Sequence, residues 1–207
     1  MTLRLNGSTS GYTEIDAPAV AGSNTLVLPT GAGSAYQVVR NGATAGSLEF
    51  TDNIVSGTAV DSTSGTSIDF TGIPSWVKRV TVMLNGVSTN GTSSLLFQIG
   101  TSSGIESSGY VSSGTYQGAG SGGATSTAGF LNQAGGAIAD TTCGTTSIVS
   151  FGSNKWVSSS VSSTGSSNYS YIGAGAKTLS GTLDRVRITT VNGTDTFDAG
   201  SINILME

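Results

Sequence analysis

The side chains that could do covalent or metal chemistry are few in this sequence, and they lie far apart. Histidine is absent and Cys143 is the single cysteine. The Ser/His/Asp and Cys/His arrangements, and ordinary zinc sites, are therefore excluded. Two carboxylates are enough for a glycosidase, but Asp69 and Asp184 fall in predicted strands while Glu106 and Asp140 fall in predicted loops. We predict no catalytic residue and no cofactor.

One close pair of acids lies in Asp195-Thr196-Phe197-Asp198, beside a turn. Carboxylate oxygens could bind calcium, but this segment lacks the multi-acid spacing of a dedicated calcium loop. We predict a turn held by Asx hydrogen bonds and no metal site. The glycine run 118–123 has no following Lys-Ser/Thr and opens no helix, so it predicts a loop and not a phosphate cradle.

Aromatic side chains are the remaining candidates for recognition, because aromatic anchors dominate many binding surfaces. Five of them lie among serines and glycines, where they could stack on a sugar or contact a surface protein. The alternative is that several fill the protein core or an interface between copies, since large aromatics are buried on average. The candidate receptor-contact residues are Tyr110, Tyr116, Trp156, Tyr169 and Tyr171.

The composition favours strands and loops over helices. Serine, threonine and glycine make up almost half of the 207 residues, and charged residues are only 10%. A flexible Gly/Ser-rich chain is an alternative, but apolar residues cluster in alternating runs and the net charge is a modest −4. Eight scattered Lys and Arg in a chain of pI about 4.6 argue against nucleic-acid binding. No signal-peptide pattern or membrane-length apolar run is present, so we expect synthesis in a cytoplasm and no membrane insertion.

The segment 66–100 gives the clearest evidence of order. Val80, Val82 and Leu84 alternate with polar residues in a predicted strand from Trp76 to Leu84, and a turn is expected over 85–92. The segment 182–207 mirrors this pattern with a long strand, a turn and a closing strand. We predict an all-β fold at 51–207: a jelly-roll-like antiparallel sandwich of roughly eight to ten strands. The last strand is expected to pair near 66–100.

Between 100 and 182 the apolar alternation that indicates strands is weaker. The segment 145–160 reads as a hairpin with its turn at 152–154. Phe130-Leu131 predicts a further short strand, followed by a turn at Gly135-Gly136 and Ile138.

Residues 1–50 have a different sequence pattern from the rest of the chain. Short apolar segments are separated there by turn sequences such as Asn6-Gly7 and Asn41-Gly42. Strands this short cannot close a core within one chain. Three copies wound together could bury these apolar segments against one another. We therefore predict a short intertwined β arm at 1–50 that forms a homotrimer, the alternative being a loosely ordered arm.

Two stretches resemble known proteins. NGSTSGYTEIDAPAVAGSNTLVLPTGAGSAYQVVRNGATAGSLEF (6–50) resembles a segment of tail-fibre and other virion proteins of tailed phages, especially those of cyanobacterial phages. SGTSIDFTGIPSWVKRVTVMLNGVSTNGTSSLLFQIG (64–100), with ITTVNGTDTFDAGSINILME (188–207), resembles a domain at the distal end of such fibres. Together they touch about half of the chain.

The resemblance implies a non-enzymatic virion protein, a short homotrimeric tail fibre assembled in the host cytoplasm. Residues 1–50 would attach to the tail, the baseplate or another virion protein, and 51–207 would face a host-surface glycan or protein. The chain is shorter than many fibres, which leaves a capsid decoration or head-fibre protein as an alternative. A carbohydrate-degrading tailspike and a carbohydrate-binding module outside any virion are further alternatives.

Overall fold

The structure of the chain is a computed structural model. It describes residues 3–20, 22–34, 37–51, 54–118, 120–132, 140–165 and 168–207. The chain divides into two compact units, Met1–Asn53 and Ile54–Glu207. Each unit is described by itself.

The N-terminal unit consists of small antiparallel pairs. Strand β1 (Leu3–Asn6) pairs with β2 (Tyr12–Ile15), and β3 (Val38–Asn41) pairs with β4 (Leu48–Thr51). A parallel bridge joins Val27 to Ser47. Every residue of β1 and β2 is exposed, so this hairpin buries neither of its faces within the chain. The intertwining of copies stays a prediction.

The C-terminal unit is built of strands in two antiparallel sheets. Its strands, in chain order, are β5 (Val55–Ser56), β6 (Val60–Asp61), β7 (Ser67–Thr71), β8 (Arg79–Thr89), β9 (Leu95–Thr101), β10 (Gly104–Ile105), β11 (Tyr110–Gln117), β12 (Ser121–Ser126), β13 (Phe130–Leu131), β14 (Thr142–Gly152), β15 (Lys155–Thr164), β16 (Ser170–Thr178), β17 (Arg185–Thr190) and β18 (Phe197–Met206). No helix occurs in the described ranges.

The larger sheet has the order β12-β11-β16-β15-β14-β8-β18-β5, with β6 also paired to β18. The smaller sheet has the order β10-β9-β17-β7, and β13 also pairs with β9. Strand β18 pairs with β8 over most of its length, for example Ile202 with Leu84 and Ile204 with Val82. The predicted pairing of the last strand near 66–100 is confirmed.

One hydrophobic cluster holds the two sheets together. Strands β8 and β18 contribute Val80, Val82 and Ile202 from the larger sheet, and β9 and β17 contribute Phe97 and Ile188 from the smaller one; all five are 0% exposed. These side chains follow the alternation of each strand, because successive residues point to opposite faces. The predicted all-β antiparallel sandwich is confirmed, whereas its jelly-roll form is not.

The strand predicted at Trp76–Leu84 lies further along the chain in the structure, at Arg79–Thr89. Residues 74–77 form a turn closed by a 3.0 Å hydrogen bond from Val77 N to Pro74 O. The strand then begins at Arg79 and continues through the expected turn at Asn85-Gly86. A β-bulge explains this continuation: Gly86 has φ 64°, Gly200 of β18 has φ 92°, and the β8–β18 register shifts beside them.

Other predicted features have mixed outcomes. The hairpin at 145–160 is confirmed as β14 and β15, and Phe130-Leu131 is confirmed as β13. The polar stretch 101–123, for which no strand was predicted, contains β11 and the start of β12. The turn at Gly135-Gly136 and Ile138 lies outside the described residues. In the part of the chain that the structure describes, no helix is long and apolar enough to cross a membrane.

Candidate functional site

Three of the five candidate aromatics come together at one end of the larger sheet. Strand register places Tyr116 of β11 directly opposite Tyr171 of β16, and Tyr169 lies just before β16. The ring centroids of Tyr116 and Tyr169 are 5.3 Å apart, with an angle of 78° between the ring planes. Tyr171 lies 6.1 Å from Tyr116 and 6.4 Å from Tyr169. The Tyr116–Tyr169 pair is edge-to-face, whereas both pairs with Tyr171 are tilted; centroid distances of this range are favourable for aromatic pairs. We call Tyr116, Tyr169 and Tyr171 the tyrosine cluster.

Glycines next to the tyrosine cluster let the rings lie close to the backbone. A Cβ on Gly122, which pairs with Tyr116, would stand 2.7 Å from the Tyr116 ring. A Cβ on Gly118 would stand 2.1 Å from the carbonyl oxygen of Asn168 and 2.8 Å from the Tyr169 ring. The run 118–123 therefore serves packing at these two positions.

The approach of the chain to Tyr169 is fixed by its backbone. Asn168 has φ 52°, a left-handed conformation that asparagine adopts more readily than most residues. The carbonyl oxygen of Tyr169 accepts a 3.0 Å hydrogen bond from Thr164 N, at the end of β15. These two features hold Tyr169 against the neighbouring strands.

The tyrosine cluster offers aromatic surface without charge. Tyr171 is 2% exposed, whereas Tyr116 and Tyr169 are half-buried and present part of their rings. Strands β11 and β12 carry no charged residue. Half-buried rings among serine and threonine hydroxyls are suited to a neutral, hydroxylated ligand or to a protein loop.

The other two candidate aromatics lie in the hydrophobic core. Tyr110 is 1% exposed and packs edge-to-face on Phe130 at 5.0 Å. Its hydroxyl accepts a 2.8 Å hydrogen bond from Ile99 N and donates a 2.9 Å bond to Glu106 O. Trp156, the second residue of β15, is 5% exposed and lies at the opposite end of that strand from the tyrosine cluster. The alternative that some of these aromatics fill the sandwich describes Tyr110 and Trp156.

The acids of segment 195–198 make hydrogen bonds of a turn. Asn192 Oδ1 accepts bonds from Thr194 N at 3.0 Å and Asp195 N at 3.2 Å. Asp195 accepts bonds from Ser93 N at 2.9 Å and Asn192 Nδ2 at 2.6 Å, and Asp198 accepts one from Ser88 Oγ. Within the described residues, no group of three or more Asp, Glu or Cys side chains could hold a metal ion.

Sequence reasoning named the tyrosines but could not predict that they meet. Tyr116 and Tyr171 are far apart in sequence, and only the β11–β16 register brings them opposite one another. The signal that could have helped is the alternation of aromatic and small residues in 168–173, once a partner strand is known. Comparison of the chain with protein families, curated proteins and solved structures found no significant match.

Proposed function

We propose that the chain is a non-enzymatic structural protein of a phage particle, a short homotrimeric tail fibre. Residues 1–50 attach it to the tail, the baseplate or another virion protein, and the sandwich adsorbs to a glycan or protein of the host surface. In this account the protein is assembled in the host cytoplasm and ends in the tail of the virion.

The exposed apolar side chains of the N-terminal unit are the observation that carries this proposal. Leu3, Leu5 and Ile15 share one face of the β1–β2 hairpin and are 53–59% exposed. A two-stranded hairpin is at best marginally stable alone in water, and clustered exposed apolar residues are typical of an interaction surface. Burial against two further copies, or against a particle protein, would remove these side chains from water.

The proposed mechanism is adsorption through several weak contacts. A trimer presents three tyrosine clusters, each with two half-buried rings. Linked sites that engage a repeated surface ligand together gain avidity, which can exceed the affinity of one site by about 10²–10⁴-fold. No strong single contact is needed.

The position of the chain on the particle tests the proposal. Particles labelled with an antibody against 54–207 and viewed by electron microscopy should carry the label on the tail. Label on the capsid would overturn the tail-fibre assignment in favour of a decoration or head-fibre protein. Absence of the chain from purified particles would overturn any virion role, and release of reducing ends from host polysaccharide would overturn the non-enzymatic assignment.

A further inference from the structure

A pocket of about 240 Å³ lies at the Trp156 end of the C-terminal unit, away from the tyrosine cluster. This volume is below the range of about 300–1,000 Å³ occupied by drug-sized ligands, so it suits one small unit such as a single sugar ring. Side chains with hydroxyl, amide and ammonium groups dominate its wall. The lining residues used below are Ser75, Lys78, Ser150, Ser153, Asn154 and Trp156.

The indole N–H of Trp156 has no hydrogen-bond acceptor among the described residues, although it is fully buried. Trp156 as a whole is 5% exposed. An unpaired buried donor is unfavourable, and buried indole N–H groups usually have a partner. Trp156 also lines the pocket, but its indole nitrogen has almost no accessible surface. A ligand oxygen therefore becomes the missing acceptor only after the side chain shifts toward the pocket, a change that is common when ligands bind.

The same end of the unit carries the cations that lack a carboxylate partner. Within the described ranges, only Lys78 and Lys155 of the Lys and Arg side chains make no ion pair with an acid. Lys78 lines the pocket, and Lys155 directly follows the lining residue Asn154. Elsewhere in this acidic chain, each described cation has an anionic partner. A concentration of unpaired positive charge here favours an anionic ligand.

The backbone around these groups is held in place. The carbonyl oxygen of Lys78 accepts a 2.8 Å hydrogen bond from Ser150 N, and Ser150 pairs with Trp156 across the β14–β15 hairpin. The hairpin turn has positive φ at Ser153 (50°) and Asn154 (59°), and Asn154 O accepts a 2.9 Å bond from Leu179 N. Lys78 and Trp156 are thus both anchored to β14, and they lie on opposite sides of this strand.

We propose that this pocket binds an acidic saccharide unit. The carboxylate meets the Lys78 ammonium, and the remaining hydroxyls bond to Ser150, Ser153 and Asn154. A sugar oxygen accepts the Trp156 indole N–H once the ring shifts and exposes it. Lys155 lies beside the pocket without lining it, and it attracts the anion at longer range. This site differs from the tyrosine cluster in position and in ligand charge, and it does not depend on a virion role.

The test follows the indole N–H of the full chain by NMR. Trp76 and Trp156 are the only tryptophans, so two indole signals are expected, and the Trp156→Phe variant assigns them. Glucuronate, galacturonate and N-acetylneuraminate are titrated to 50 mM (about the range needed for one-ring ligands), with glucose and inorganic sulfate as matched probes. At least one acidic sugar should shift the Trp156 signal saturably, and glucose should not.

The variant Lys78→Gln should weaken that binding about fivefold or more, since a charge-assisted hydrogen bond is lost. Lys155→Gln removes the same charge without changing the pocket wall and should weaken it less than about twofold, because solvent and salt screen distant charges. Both lysines are exposed, so both variants should fold.

Several results would overturn the proposal. The first is no saturable shift with any of the acidic sugars. The second is equal binding of glucose and glucuronate, or equal effects of the two lysine variants. The third is sulfate binding as tightly as the best sugar, which would indicate a simple anion site. None of these results bears on whether the chain is found on a particle.

Discussion

At the scale of single residues, the buried polar groups of this protein serve mainly the fold. Lys177 is 8% exposed and lies 2.6 Å from Glu106 Oε2, with its ammonium 5.3 Å from the centre of the Tyr110 ring. Glu106 also accepts hydrogen bonds from Ser180 N at 2.8 Å and Ser180 Oγ at 2.7 Å. This network joins the loop after β10 to the end of β16.

Removing the negative charge of Glu106 is expected to destabilise the protein strongly. Glu106→Gln leaves the Lys177 ammonium buried without an anion, and breaking one side of a buried pair costs about 3–5 kcal/mol. Arg187→Gln is the matched control, because its pair with Asp69 is about one-third exposed and should contribute less than about 1 kcal/mol. Urea unfolding at pH 7 measures both free energies. Equal losses would contradict the structural role given to the Glu106–Lys177 pair.

The same carboxylate predicts how stability depends on pH. Partial burial would raise the pKa of Glu106, but the hydrogen bonds from Lys177 and Ser180 outweigh it and hold this pKa below its ordinary value. A carboxyl group with a lowered folded-state pKa stabilises the protein above its unfolded-state pKa, near 4.5. That contribution is lost as pH falls through the folded-state pKa. The difference in unfolding free energy between wild type and Glu106→Gln should therefore shrink from pH 6 to pH 3, and a constant difference would contradict this reasoning.

The half-buried tyrosines are expected to matter for adsorption more than for folding. Tyr169→Ala removes one partly exposed ring of the tyrosine cluster, and loss of an aromatic anchor typically costs 1–2 kcal/mol or more of binding energy. Labelled protein should bind host cells about tenfold more weakly, as read from a titration by flow cytometry. Phe151→Ala, which removes a ring that is 73% exposed in the same unit, is the control for losing an aromatic side chain outside the cluster. Unchanged binding by Tyr169→Ala would remove the cluster from the proposed contact surface.

At the scale of elements, glycines fix the bulged pairing of β8 with β18. Gly200 has φ 92°, and a Cβ there would stand 2.4 Å from the carbonyl oxygen of Gly86. Gly86 itself has φ 64° with open space around it. The close approach of the two backbones, and not only the backbone conformation, therefore requires glycine at 200.

Gly200→Ala is expected to destabilise the sandwich by more than about 2 kcal/mol, because left-handed strain of about 1–2 kcal/mol adds to a backbone clash. Gly193→Ala is the matched control: its φ is 68°, but a Cβ there meets nothing within 4 Å. Gly193→Ala should lower the free energy of unfolding only by the backbone strain of the left-handed conformation. Thermal unfolding followed by circular dichroism compares the two, and equal melting temperatures would show that the strands separate easily at this bulge.

The sequence predicted the elements whose apolar residues alternate. The faces of β8 and β18 could be read from Val80, Val82, Ile202 and Ile204, because one buried face imposes a period of two. The bulge at Gly86 could not be read, since Asn-Gly is also a common turn signal. Strand β11 was missed because its inward positions include Ser112 and Gly114, so burial there does not produce an apolar pattern. The pocket beside Trp156 depends on pairings between distant strands, which no local pattern encodes.

At the scale of the whole molecule, the N-terminal unit leaves the apolar side chains of its β1–β2 hairpin exposed within one chain. Leu3 pairs with Ile15 across the β1–β2 hairpin, and both side chains are nearly 60% exposed. Burial of such a side chain contributes about 1.5–3 kcal/mol. Burial of these residues in three copies therefore favours association and opposes its entropic cost.

Sedimentation of the full chain at micromolar concentration tests this central claim most directly. We predict a stable species of three times the mass of one 20.6 kDa chain. The double variant Leu3→Ser with Ile15→Ser should dissociate towards the monomer. Val161→Ser, which removes an apolar side chain that is 62% exposed in the C-terminal unit, should leave the trimer intact. A stable monomer of the unaltered chain at this concentration would contradict the account.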